Sequence, residues 1–152
     1  MNNKSNKIKE VIPGLLEKRD IVILKHYWYY WSIAISDSKI LLFKTDDYYG
    51  SDAMFTSNRF IRLEDADRLI GDDIERIIAK VKTKYVFSRE PGKHLKFKVV
   101  KKWLGPRKLL LEDDTNMVEK ELGYKPKILM MSRQIKELQE AVPELEIEYI
   151  KE

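Results

Sequence analysis

The fold and the function of this chain depend on one basic stretch near its middle. The stretch reads Lys93-His94-Leu95-Lys96-Phe97-Lys98-Val99-Val100-Lys101-Lys102-Trp103-Leu104-Gly105-Pro106-Arg107-Lys108 and contains no acidic residue. Leu95, Phe97 and Val99 alternate with polar residues, which is typical of a β-strand with one buried face. Gly105-Pro106 marks a turn, after which residues 107–111 return as a second strand. The stretch, called the basic ribbon below, therefore predicts a β-hairpin with one apolar and one cationic face.

Length and composition indicate one soluble globular domain. The chain has 152 residues, of which 43% are hydrophobic and 36% are charged, enough for one hydrophobic core and too few for two ordinary ones. We expect a single domain over residues 1–152, with disorder in residues 1–7. Cysteine is absent, which excludes disulfides, thiolate metal sites and cysteine nucleophiles. The glycines are scattered and form no phosphate-binding loop, which sets aside P-loop nucleotide hydrolysis.

The beginning of the chain carries no targeting signal that we recognise. Residues 1–10 are polar and lysine-rich, and no apolar segment of signal-peptide or membrane-spanning length follows them. We therefore expect the protein in the cytoplasm, of a cell or of an infected host, without a membrane partner. The net charge of +4 is modest, so charge is informative only where it clusters.

Hydrophobic periodicity predicts both helices and strands. Asp72 and Ser132 are expected to cap two of the helices, and the acids at 112–114 to begin another. Helical spacing of apolar residues occurs in segments 8–16, 70–82, 112–122 and 132–142, with a further helical turn at 64–69. Strand patterns occur at 20–24, 26–36, 40–43, 59–63, 85–88, 127–131 and 145–150.

The order of these elements places the chain in the α+β class. Strands between residues 20 and 43 follow one another through short turns, which favours an antiparallel meander. The strand, helix and strand over residues 127–150 favour a right-handed βαβ unit with parallel strands. We therefore expect a mixed, mainly antiparallel sheet with about four helices and a C-terminal βαβ unit.

The cationic face of the basic ribbon predicts contacts to the phosphate backbone of a nucleic acid. We favour DNA over RNA, and a homodimer is compatible with the sequence. The structural alternative is a solvated strand face paired with acids. If Lys96 and Lys98 are paired with Glu or Asp across the sheet, the ribbon is structural and the nucleic-acid interpretation loses its basis. An aromatic ring or an imidazole in the ribbon could stack on a base. The candidate nucleic-acid-binding residues are Lys93, His94, Lys96, Lys98, Lys101, Lys102, Trp103, Arg107 and Lys108.

Acidic residues flank the basic ribbon and suggest a metal-dependent nuclease. Glu90 precedes the ribbon, and Asp113 and Asp114 follow it. Such an enzyme needs carboxylates that converge on a divalent cation near the scissile phosphate. We assign Glu90, Asp113 and Asp114 as candidate catalytic residues, and Glu90 with Asp113 as ligands of Mg²⁺ or Mn²⁺. A turn at Glu90 and helix capping by the two aspartates are the structural alternatives.

The chain also carries an aromatic block, Tyr27-Trp28-Tyr29-Tyr30-Trp31. Strand alternation places the first, third and fifth rings on one face and the other two on the opposite face. Packing within the core of a sheet is favoured for such residues. An exposed face would instead form a contact surface for bases or for a protein partner. That surface is the basis of an alternative function, a non-catalytic protein-interaction module.

Two neighbouring segments resemble the opening of a known family. They read Arg19-Asp20-Ile21-Val22-Ile23-Leu24 and Tyr30-Trp31-Ser32-Ile33-Ala34-Ile35-Ser36-Asp37-Ser38-Lys39-Ile40. Permuted NlpC/P60 and lecithin:retinol-acyltransferase-like proteins show a Gly-Asp-Ile strand, then His-Trp-Ala-Ile-Tyr and a Gly-Asp-Gly turn. The catalytic histidine of that family falls at Tyr30, its glycines fall at Arg19, Ser36 and Ser38, and its nucleophilic cysteine has no counterpart. The resemblance implies a papain-like scaffold that lacks its triad and serves for binding rather than acyl transfer.

Overall fold

The computed structural model describes residues 5–21, 25–49, 63–81, 84–92, 95–101, 106–110 and 127–151. Within these ranges the chain forms strands, two α-helices and one 3₁₀ helix. In chain order they are β1 (Glu10–Ile21), β2 (Lys25–Ile35), β3 (Lys39–Tyr49), the 3₁₀ helix (Leu63–Leu69), α1 (Ile74–Lys80), β4 (Lys84–Ser88), β5 (Lys96–Lys101), β6 (Arg107–Leu110), β7 (Ile128–Met130), α2 (Ser132–Ala141) and β8 (Glu146–Lys151).

All the strands belong to one sheet, in the order β4-β3-β2-β1-β7-β6-β5-β8. Neighbouring strands are antiparallel except β5 and β8, which run parallel. The sheet curls, which brings strands that are far apart in the strand order into contact. The ring centroid of Phe87 in edge strand β4 lies 5.0 Å from that of Phe97 in β5. Arg89, just after β4, donates hydrogen bonds to both carboxylate oxygens of Glu144, just before β8. The curl therefore creates a concave face that encloses one of the cores.

Two hydrophobic cores lie on opposite faces of this sheet. Helix α2 covers the concave face, and the 3₁₀ helix with α1 covers the outer face of the first three strands. The buried residues of the concave core are Ile12, Leu15, Trp31, Ile33, Ile35, Ile40, Leu42, Tyr85, Phe87, Leu95, Phe97, Val99, Leu109, Ile128, Met130, Ile135, Leu138, Val142 and Leu145. Those of the outer core are Ile8, Val11, Ala34, Leu41, Phe43, Ala66, Leu69, Ile74, Ile77 and Val81.

The helix expected over residues 8–16 is wrong, because most of this segment belongs to β1. Val11 lies in the outer core, whereas Ile12 and Leu15 lie in the concave core. The strand is thus buried on both faces, and its apolar residues imitate helical spacing. The register with β2 shifts between Ile12 and Leu15, and Gly14 there has a φ of 78°. Such a β-bulge favours glycine, because residues with a side chain rarely adopt positive φ.

Helix α1 forms close to its predicted place. Its cap is Asp73, whose carboxylate accepts a hydrogen bond from the backbone N–H of Glu75, rather than the expected Asp72. Ile77 is buried as expected, but Ile70 is 55% exposed because it lies in the turn before the helix. Periodicity therefore identified the helix, and its cap lies one residue after the expected one.

Helix α2 buries Ile135, Leu138 and Val142, as the spacing of its apolar residues predicts. Ser132 is its first residue rather than its cap, and Met131 takes the capping position without a side-chain hydrogen bond to the first turn. The apolar stripe holds the helix against the concave core.

Gln134 attaches α2 to the bulge in β1. Its side chain is buried, with only 3% exposed. Its Oε1 accepts a hydrogen bond from the backbone N–H of Met131 at 2.8 Å, and its Nε2 donates one to the carbonyl oxygen of Pro13 at 2.9 Å. One side chain therefore satisfies the N–H of the residue that caps the helix and a carbonyl group of the bulge.

The expected fold, an α+β domain with a mixed, mainly antiparallel sheet and about four helices, is wrong in its class and in its number of helices. The described part of the chain is predominantly β, with two α-helices against a curled mixed sheet. The helix expected over 112–122 and residues 59–62 of an expected strand lie outside the described residues. The C-terminal strand, helix and strand are present, but β8 pairs with β5, so two strands separate β7 from β8.

Replacing Gln134 by alanine should lower the free energy of unfolding by about 1–3 kcal/mol, since buried polar groups lose their partners. The matched control is Gln139→Ala on the exposed side of α2, which should change it by no more than about 0.5 kcal/mol. Urea unfolding monitored by circular dichroism measures both values. Equal destabilisation by the two variants would show that Gln134 does not fasten the helix to β1.

Candidate anion-binding site

Strands β5 and β6 form the hairpin that was predicted for the basic ribbon. Val100 pairs with Lys108 in antiparallel register. Leu95, Phe97 and Val99 are buried, which confirms the predicted alternation. The odd-numbered side chains of β5 therefore face the concave core, and the even-numbered ones face outward.

The sequence pattern did not predict the neighbour that β5 gains in β8. The two strands run parallel, and Lys98 stands opposite Glu148. Lys96 Nζ lies 2.8 Å from Glu148 Oε2. The hydrogen bond from Lys96, aided by the charges of Lys96 and Lys98, holds the pKa of Glu148 below its ordinary value despite partial desolvation. Lys96 thus forms the cross-sheet ion pair that indicates a structural role.

The other end of the ribbon borders a cavity of about 340 Å³ between the concave face and helix α2. Strand β5 contributes Lys101 and β6 contributes Arg107, both of them candidates from the sequence. Among the described residues that line the cavity, three side chains are cationic and none is acidic. We call this space the cationic cavity; its lining residues are Lys101, Arg107, Ser132, Ile135, Lys136, Gln139 and Tyr149.

Strand register and helical spacing place Arg107 and Lys136 close together on one wall of this cavity. Arg107 stands opposite Met130 in β7, two residues before α2 begins at Ser132. The guanidinium Nη1 of Arg107 donates a hydrogen bond to Ser132 Oγ. Lys136 lies four residues, or about one turn, further along the same side of the helix. The beginning of α2 and the beginning of β6 therefore share one cationic surface.

The opposite wall comes from β8. Tyr149 is paired with Val99 in the parallel register, so its side chain lies on the concave face together with that of Lys101. The tyrosine is 49% exposed, and it lines the cavity with Gln139 of α2. An aromatic ring and an amide therefore join the hydroxyl group of Ser132 and three cationic side chains in the lining of the cavity.

Two of the cations have no ion-pair partner among the described residues. In the part of the chain that the structure describes, no carboxylate lies within ion-pair distance of Lys101 or Lys136. The N-terminus of α2 adds partial positive charge, and Met131 offers no side-chain oxygen to its first turn. The cationic cavity is therefore suited to an anion such as a phosphate group.

The structure does not bring every candidate from the ribbon to this cavity. Lys108 is paired with Val100, so it lies on the outer face with Lys96 and Lys98. Four further candidates lie outside the described residues, namely Lys93, His94, Lys102 and Trp103.

The acids proposed for a nuclease are not assembled in the described residues. Glu90 is exposed in the turn after β4, while Asp113 and Asp114 lie outside those residues. Among the side chains that the structure places, no three histidines, aspartates or glutamates are grouped so that they could hold a metal ion. The nuclease with Mg²⁺ or Mn²⁺ therefore stays a prediction.

The aromatic block contributes to the core through its last member. Trp31 is fully buried, and its indole N–H donates a hydrogen bond to Glu17 Oε1 at 2.8 Å. Lys44 Nζ lies 3.7 Å from the same carboxylate and 3.8 Å from the centroid of the Tyr29 ring. Trp31 and Tyr29 are therefore engaged in intramolecular contacts. A protein-interaction surface stays a prediction for Tyr27 and Trp28, whose side chains lie outside the description.

Sequence reasoning missed four of the cavity residues, Ser132, Lys136, Gln139 and Tyr149. The three on α2 recur at intervals of four and three residues, a spacing that places them on one side of a helix. That signal was readable beside the apolar stripe of Ile135. Tyr149 had no comparable signal, because its place depends on the parallel pairing of β8 with β5.

A comparison with family models, with curated proteins and with solved structures finds no match to this chain. The resemblance to NlpC/P60-like proteins therefore stays a prediction. In the described ranges, neither α-helix has the length and apolar character that crossing a membrane requires.

Replacing Lys96 by methionine should raise the pKa of Glu148 toward its ordinary value of 4.5, because the hydrogen bond and the nearest charge are lost. In the wild type this interaction stabilises the fold fully above pH 4.5, and the stabilisation is lost as the pH falls through the lower folded pKa. The variant should lose this pH-dependent contribution to the free energy of unfolding. Carboxyl carbon shifts followed by NMR across a pH titration measure the pKa directly.

Lys101→Met is the matched control for this titration, since Lys101 is not among the groups that lower the pKa of Glu148. That variant should leave the Glu148 titration unchanged. A Glu148 pKa that is the same with and without Lys96 would contradict the ion pair.

Proposed function

We propose that this protein binds nucleic acid, with DNA as the first expected partner, and that the cationic cavity receives the phosphate groups. One observation carries the proposal. Lys101, Arg107 and Lys136 converge on a single cavity, and none of the described residues that line it is acidic. Charges of one sign repel one another, so their convergence without acids costs stability unless an anion binds between them.

The chemistry of the three cations suits phosphate. The planar guanidinium of Arg107 can donate two parallel hydrogen bonds to phosphate oxygens, once one of them replaces its bond to Ser132. Lys101 and Lys136 supply compact charges from two different elements. Contacts of this kind are insensitive to base sequence, so binding should depend strongly on salt and weakly on sequence.

The outer face of the ribbon has a smaller part in this proposal than the sequence suggested. Lys96 is paired with Glu148, and the charge of Lys98 also acts on that carboxylate. The positive charge of that face is thus partly offset inside the fold. Binding should therefore depend on Lys101 and Lys136 more than on Lys96.

Replacing Lys101 or Lys136 by glutamine should weaken binding to a DNA oligonucleotide about tenfold at low salt, since a hydrogen bond to a charged group contributes about 1.5 kcal/mol. Each variant should also reduce the slope of log affinity against log salt by about 1. Fluorescence anisotropy with a labelled oligonucleotide, from low to physiological salt, measures both quantities.

Lys96→Gln is the matched control, because it removes the same unit of charge from a lysine that is already paired with Glu148. It should leave affinity and salt slope nearly unchanged. A loss in Lys96→Gln equal to that in Lys101→Gln would indicate a general charge effect and would contradict a cavity site. The absence of binding at low salt would end the proposal.

A further inference from the structure

We propose that the cationic cavity takes a single unpaired nucleotide, with its phosphate at the Arg107 end and its base against Tyr149. This inference rests on the proposed function and names the form of nucleic acid that the site selects. It follows from the polarity of the cavity, the exposure of the tyrosine and the size of the space.

The cavity has a charged end and a neutral end. Strands β7, β5 and β8 point the same way, so α2, which joins β7 to β8, runs back in the opposite direction. Ser132 therefore lies at the end where β5 finishes in Lys101, next to Arg107. Gln139 is seven residues further along, about 10 Å down the helix axis. The phosphate-binding groups and the amide are thus separated along the cavity.

Tyr149 lies toward the neutral end. It precedes by two residues the position opposite Lys101 in the parallel register, a distance of about 7 Å along the strand. Its side chain is 49% exposed at the edge strand of the sheet, so one surface of the ring is open to a ligand. A base can stack on such a ring, and the amide of Gln139 can donate to and accept from a base edge.

The size of the cavity favours one nucleotide over a duplex. About 340 Å³ lies at the small end of the range of about 300–1,000 Å³ for sites that take small molecules. A ligand that touches both ends must present a phosphate and the open face of a base from the same unit. In a duplex that face is covered by stacking, whereas a strand end, an unpaired base or a free nucleoside monophosphate presents it.

The experiment compares ligands that distinguish a strand end, an internal unpaired base and a free nucleoside monophosphate. Anisotropy is measured with a labelled single strand that carries a 5′-phosphate, the same strand with a 5′-hydroxyl, and the corresponding duplex. Unlabelled adenosine and thymidine monophosphates and inorganic phosphate serve as competitors. We expect the single strands to bind about tenfold more tightly than the duplex, and the monophosphates to compete better than inorganic phosphate.

The key variant is Tyr149→Leu, which keeps an apolar side chain and removes the aromatic face. It should weaken single-strand binding about tenfold, as expected for loss of one stacked base, and should leave duplex binding unchanged. Tyr149→Phe should restore most of that affinity. Ile70→Ala removes another exposed apolar side chain, outside the cavity, and should have no effect. Unfolding midpoints confirm that each variant folds.

The outcomes separate this inference from the proposed function. Equal binding of duplex and single strand, lost in Lys101→Gln but not in Tyr149→Leu, would overturn the single-nucleotide site and keep nucleic-acid binding. Binding of monophosphates alone, dependent on both Tyr149 and Lys101, would keep the nucleotide site and overturn nucleic-acid binding. A preference for the 5′-phosphorylated strand would identify a strand end as the ligand, and no preference would identify an internal unpaired nucleotide.

Discussion

The parallel pairing of β5 with β8 is the constraint on which the site depends. It places Glu148 beside Lys96 and removes that lysine from the available cations. The same register sets Tyr149 on the concave face, level with Val99 and close to the end of β5. A shift by one residue would send the tyrosine to the outer face and bring either Glu148 or Ile150 into its place. One register therefore decides which charges are neutralised and which remain available to a ligand.

One side of helix α2 packs against the concave core, and another side lines the cationic cavity. Its apolar side, with Ile135, Leu138 and Val142, closes the concave core. Gln134 fastens the first turn to the carbonyl group of Pro13. The polar side is then held at a constant distance from the strands, and Lys136 reaches the cavity without being part of the core. A binding site on such a fastened helix keeps its groups in position before a ligand arrives.

Local patterns in the sequence predicted the features that depend on residues close together in the chain. The alternation in β5 and the apolar stripe of α2 were predicted correctly, because each depends on one buried face. Segment 8–16 was predicted as a helix, since β1 is buried on both faces and loses its period of two. The ion pair of Lys96 and the position of Tyr149 depend on β8, which is distant in sequence, so neither periodicity nor composition could reveal them. Two of the seven lining residues, Lys101 and Arg107, were therefore predicted as site residues, and the groups contributed by α2 and β8 were not.

The bulge at Pro13-Gly14 also determines how β1 tolerates changes in length. Ile12 and Leu15 reach the same core although they are three residues apart, an odd interval that a regular strand cannot provide. Deleting one residue there would exchange inside and outside for the rest of the strand, turning the carboxylate of Glu17 away from Trp31. A substitution at the bulge changes one side chain, whereas an insertion or deletion changes the face on which every later side chain of β1 lies. The bulge at Gly14 therefore determines which residues of β1 face the concave core.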